Sequence, residues 1–188
     1  MRRLVVLFFL MLCAVAVALR AQPAAAQPRP PTQAELAAAI LTTAEINSVD
    51  DGFTQAQRGP QPGRNVNFSV SFERTNLKGY ESVGILLRPS ADATPDEVAQ
   101  GAVDGIVAQI EAQNLDSEVL WIAAPVVGRD TVRAIMIVKA SDGYVFTDLI
   151  AWRQGAVTAM VIRSNGNHME SAFFVADRQQ EKLASVFR

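Results

Sequence analysis

From Val66 the chain alternates, with Val66, Phe68, Val70 and Phe72 separated by Asn67, Ser69, Ser71 and Glu73. A period of two sends successive side chains to opposite faces, which predicts a strand with one buried side. A second strand is expected from Tyr80 to Arg88, stopped by Pro89. The period then changes. Val98, Ala102, Ile106 and Ile110, with Val103 and Val107 beside them, form one helical stripe. Thr94-Pro95-Asp96-Glu97 supplies its capping residue, its first-turn proline and a carboxylate for the helix dipole. A helix over 95–113 follows, and a strand around Glu118 to Ala123 is closed by Pro125.

Val132 to Ser141 and Tyr144 to Arg153 are β-rich runs joined by Asp142-Gly143, and Gln154-Gly155 leads into a third run from Ala156 to Arg163. Asp-Gly is a strong hairpin signal because the turn needs positive φ. Met169, Phe173, Ala176, Leu183 and Phe187 then recur at helical spacing and predict a closing helix. Upstream, Thr32 and Glu35 have capping-box spacing before Leu36, Ile40 and Leu41, predicting a short helix ending near Thr43. The stretch from Ala44 to Gly63 is rich in turn formers, with a short strand expected at Phe53 to Gln57. The fold class expected is α+β, an antiparallel sheet of about six to seven strands with two long helices and a short N-terminal one.

With two-residue turns, Ser141 pairs with Tyr144 and Arg153 with Ala156. One face then holds Met136, Val138, Leu149, Ala151, Met160 and Ile162 without a charge, and is expected to pack on the two long helices. The other face mixes Ile135, Phe146, Ile150 and Trp152 with Arg133, Lys139, Asp148 and Arg163. Arg133 falls opposite Trp152, within reach of a cation–π contact, and Asp148 lies diagonal to Lys139 and Arg163. A carboxylate among such neighbours needs a cationic partner. Two readings stay open for this set: a structural ion pair, or a shallow ligand surface with Trp152 as platform and a basic rim for an acidic small molecule or peptide.

The first residues add a compartment. Arg2 and Arg3 precede an apolar run from Leu4 to Leu19, and Ala24 to Ala26 supply small side chains for a signal peptidase. The run is shorter than the roughly 20 residues a membrane-crossing helix needs, so cleavage after Ala26 is expected rather than a retained anchor. Residues 27–32 read as a Pro-rich linker and 33–188 as a single domain. The lone Cys13 leaves with the leader, so the mature chain has no disulfide or thiolate site. Of 17 basic residues the leader removes three, leaving 14 against 19 acids. A mature charge of about −5 argues against nucleic acid or anionic lipid as the main partner.

No metal, cofactor or catalytic signature stands out. His168 is the only histidine, with Ser164 and Ser171 nearby but no nucleophile elbow around either. Asp50 and Asp51 lack the spacing of a calcium loop.

The order helix, two strands, long helix, four strands, closing helix resembles the secreted PsbP-like and LpqN-like domains. The local likeness lies in Leu41-Thr42-Thr43-Ala44-Glu45-Ile46 leading to Asp51-Gly52-Phe53, and in Asp148-Leu149-Ile150-Ala151-Trp152-Arg153-Gln154-Gly155. The resemblance implies a sheet with helices against its faces and a non-catalytic accessory or binding role outside the cytoplasm. No family residue carries over, since the histidine-based metal contacts of some PsbP proteins have no counterpart beyond His168. The expectation is an exported, non-enzymatic module for a protein or small acidic ligand. Its candidate residues are Trp152, Asp148, Arg133, Lys139, Arg163 and Phe146. The alternative is an extracytoplasmic hydrolase using Asp148 and His168 in a cleft.

Overall fold

The computed structural model describes residues 29–60, 66–76, 79–141, 143–166 and 168–187. The expected leader and the first part of the linker lie outside the described residues. Two short helices, α1 (Gln33–Ala39) and α2 (Thr43–Asn47), precede three strands, β1 (Thr54–Pro60), β2 (Phe68–Asn76) and β3 (Gly79–Pro89). Helix α3 (Pro95–Ala112) then leads to β4 (Asp116–Ile122), β5 (Arg129–Ala140), β6 (Gly143–Gln154) and β7 (Val157–Gly166), and α4 (Phe173–Val186) ends the chain. The seven strands form one sheet in the order β1-β2-β3-β7-β6-β5-β4. Every adjacent pair is antiparallel. The α+β class holds. Among the described residues, no helix is long and apolar enough to cross a membrane.

Local chemistry accounts for the helix starts. Thr32, Thr42 and Thr94 each accept from the amide of a glutamate three residues on, and that glutamate bonds back to the threonine amide. Each capping box satisfies two amides that a helix start would otherwise leave open. The second of these lies in the turn-rich stretch, where no helix was expected. Arg58 donates to the carbonyls of Ala37 and Leu41, so the end of α1 is also satisfied. The closing helix begins at Phe173, later than the apolar spacing suggested, and Met169 is left outside it and exposed.

Both hairpins differ from expectation by two positions. Ala140 pairs with Gly143 and Gln154 with Val157. The glycine of each turn takes a positive φ, 148° at Gly143 and 55° at Gly155. Because the shift is even, each side chain keeps its face while changing its opposite number. Arg133 therefore faces Ile150 rather than Trp152, and Asp148 lies directly opposite Arg163.

Both faces are covered, one long helix to each, which corrects the expectation of both on one side. Val98, Ala99 and Val103 of α3 pack on Met136, Leu149, Ala151 and Met160. On the opposite face α1, α2 and α4 bury Phe72, Val83, Ile85, Ile150, Trp152 and Val161 with Leu36, Val175 and Leu183. Gln179 of α4 ties the N-terminal segment down, accepting from the Leu41 amide at 3.1 Å and donating to the Ala39 carbonyl at 2.7 Å.

Candidate functional site

Of the residues singled out in the sequence, Trp152, Asp148 and Arg163 lie buried on the α4 side of the sheet, with Arg133 beside them. Trp152 is fully buried and its Nε1 donates to Gln180 of α4 at 2.7 Å. No platform is open there. Asp148 is 1 % exposed and accepts from Arg133 Nε and Nη2, both at 2.8 Å, and from the Ala172 amide at 2.8 Å. The fork-to-carboxylate geometry holds the Arg133 guanidinium above its ordinary value. Arg163, 3 % exposed, turns away from Asp148 to Glu81 and Asp50, and Arg74 bonds the same two carboxylates. Lys139 is exposed opposite Tyr144, and Phe146 is half-buried with its ring 6.2 Å from that of Tyr144.

Asp50, Arg74, Glu81 and Arg163 were not linked by sequence reasoning, because they come from a loop and three strands distant in sequence. Their carboxylates and guanidiniums balance, so the burial is electrostatically tolerable. They join the loop before β1 to strands β2, β3 and β7.

His168 and Asp148 are engaged separately. His168 Nδ1 lies 3.0 Å from the Gly166 carbonyl and Nε2 lies 3.3 Å from a Glu170 carboxylate oxygen. Ser164 pairs with Thr147 at 2.9 Å, whereas Ser171 bonds Asp148 at 3.3 Å. His168 therefore bonds neither serine hydroxyl, and the Asp148 carboxylate that does reach Ser171 is already engaged by Arg133 and the Ala172 amide. Among the described residues, no group of three His, Cys, Asp or Glu could hold a metal ion.

An open concavity lies on the other face. Helix α3 packs over β4 to β7, so the outer side of β2 and β3 is left as one wall of a groove of about 450 Å³. Ser69, Ser71 and Gly84 form its sheet side, and Gly101 and Ala102 its helix side. A Cβ added at Gly84 or Gly101 would meet nothing within 4 Å, so the small residues create the space. Leu86, Met160 and Ile162 make the interior apolar. At one end sits Arg88, whose Nε is buried with no hydrogen-bond partner among the described residues. Glu97, also on the wall, has its carboxyl held low by the Thr94 amide and hydroxyl, with a further contribution from the Arg88 charge. Glu97 Oε2 is committed to the Thr94 cap, and Arg88 Nε stays without a hydrogen-bond partner beside the groove. Sequence reasoning passed over this set because serine and glycine on alternate strand positions read as an ordinary solvated face.

No family model and no curated protein matches the chain. Among solved structures, the chain is similar to the extracellular domain of PknH from Mycobacterium tuberculosis, with a TM-score of 0.50 and 11% sequence identity over 84% of this chain and 98% of that one. At that identity the likeness is one of fold: an α+β domain built on an antiparallel sheet, of a kind found outside the cell in that protein.

Proposed function

We propose that this protein is an exported, non-enzymatic binding or accessory module whose groove between α3 and β2–β3 takes a small acidic ligand with an apolar body. The leader-like first 26 residues and the extracellular source of the similar fold support export. The ligand class expected from the sequence is kept, and its place moves from the covered Trp152 face to the open one. The observation that carries the reading is the buried, unpartnered Arg88 Nε at the end of an apolar groove of about 450 Å³. That volume suits a small molecule, and a guanidinium with an unused donor favours a carboxylate.

Titration calorimetry with decanoate, a carboxylate on a plain alkyl chain, tests this. Binding is expected to weaken about tenfold or more in Arg88→Gln, the loss of one charge-assisted hydrogen bond. Gly84→Val, which places a branched side chain in open space on the groove floor, should block binding while leaving the fold intact. If decanol binds as tightly as decanoate, or Arg88→Gln binds decanoate normally, the reading is wrong.

A further inference from the structure

We propose that a second concavity, framed by Arg29, Arg129 and Arg153 beside the β6–β7 turn, is a binding site for a phosphate monoester. It rests on observations separate from the groove. Arg129 and Arg153 are cross-strand partners on β5 and β6, so two like charges sit directly opposite one another. Such a pair is locally unfavourable. Arg153 is paired with Asp130, and Arg29 with Glu35 at Nη1 to Oε2 3.0 Å. Among the described residues, no side-chain hydrogen bond or ion pair joins Arg129. One positive charge is therefore left over in a chain that is acidic overall.

The corner is held by the core rather than left to chance. Gly128 lies so close to the sheet that an added Cβ would fall 2.5 Å from Trp152 Cδ1 and 2.9 Å from the Arg153 carbonyl oxygen. Only glycine fits. Thr131 Oγ1 donates to the Gly128 carbonyl at 3.1 Å and accepts from its amide at 3.3 Å, which closes the turn. Between them a β-bulge interrupts the ladder, and Asp130 takes a φ of +53°. Bulges of this kind re-aim side chains at sheet ends, and a non-glycine left-handed residue marks a spot whose strain the surroundings sustain. The backbone that carries Arg129 is thus fixed by the core, with Arg153 opposite it.

Two planar forks on adjacent strands suit a tetrahedral group with several charged oxygens better than a carboxylate, which fills one fork alone. The space is about 850 Å³, more than an inorganic anion needs, and Val186 and Phe187 provide an apolar wall. An organic phosphate uses both. The same chemistry is offered by a soluble phosphate ester and by a lipid headgroup.

The test has two arms on the secreted chain at low ionic strength: calorimetry with glycerol phosphate, and flotation with phosphatidylcholine vesicles with or without phosphatidic acid. Binding in the first arm assigns a soluble ester, and binding only to the phosphatidic acid vesicles assigns a headgroup. In either case Arg129→Gln should weaken binding about tenfold or more, and Arg129→Lys by less, because the charge stays while the fork is lost. Arg88→Gln should leave it unchanged, which separates this site from the groove. Arg129→Gln should also melt no lower than the native chain, since it removes the opposed charge. Absence of binding in both arms, or less than a twofold change in Arg129→Gln, overturns the proposal.

Discussion

Helix α4 begins without a cap of its own: Ala172 occupies the N-cap position, no side chain caps it, and its first turn holds no acidic residue. The missing carboxylate comes from the middle of the sheet, where Asp148 accepts from the Ala172 amide at 2.8 Å and from the Arg133 fork. Asp148→Ala removes three short bonds at once, leaves a helix-end amide buried and strands Arg133, whose side chain is only 16% exposed. Breaking a buried ion pair by deleting one partner costs about 3–5 kcal/mol. The partial exposure of Arg133 puts the expected loss near 3 kcal/mol, or a fall of about 6–12 °C in Tm for a domain of this size. Urea unfolding followed by circular dichroism measures it. Adding Arg133→Met should recover about 1 kcal/mol or more, since the second variant leaves no lone charge. Hydrogen exchange should quicken first at the amides of Ala172 and Phe173. A loss below about 1 kcal/mol, or a double variant weaker than the single one by the full Arg133→Met effect, would refute the docking role assigned to Asp148.

Acid should loosen all three capped helices. The Arg29 guanidinium and the Thr32 amide and hydroxyl bring the Glu35 carboxyl down to about 2, and the Thr94 cap lowers Glu97. At Glu45 burial acts upward but is outweighed by Lys182 and the Thr42 cap, so that carboxyl is lowered too. Folded values below the ordinary 4.5 mean stability that is complete above that pH and lost as pH falls through the folded values. Thermal midpoints should fall steadily below the ordinary value, with a shallower fall in Glu45→Gln; a flat profile down to pH about 2 contradicts this. Gly128→Ala should destabilise by about 1–3 kcal/mol, because the indole and a backbone carbonyl cannot move aside. A red-shifted Trp152 emission would accompany it, and native stability in this variant would show that the corner is looser than described.

The capping boxes at Thr32 and Thr94 were readable from spacing, and the box at Thr42 had the same spacing within a stretch dominated by turn formers. The need for a cation beside Asp148 followed from the energy of burying a charge, and Arg133 meets it. Hairpin registers were off by two, because the dipeptide at a turn does not say which residues close the ladder, but an even shift left each face intact. Periodicity, caps and buried charge are local properties, and the amino-acid order alone determined the elements, their faces and the polar residues that needed partners. Which face stays open is decided between distant segments. The α3 crossover carries the chain from β3 to the far edge of the sheet, and β7 returns to pair with β3. The helix therefore covers β4–β7 and leaves a groove beside Ser69 and Gly84, while α4 seals Trp152. Only the tertiary structure could decide that, because cover depends on how far one element reaches across others remote from it in the chain.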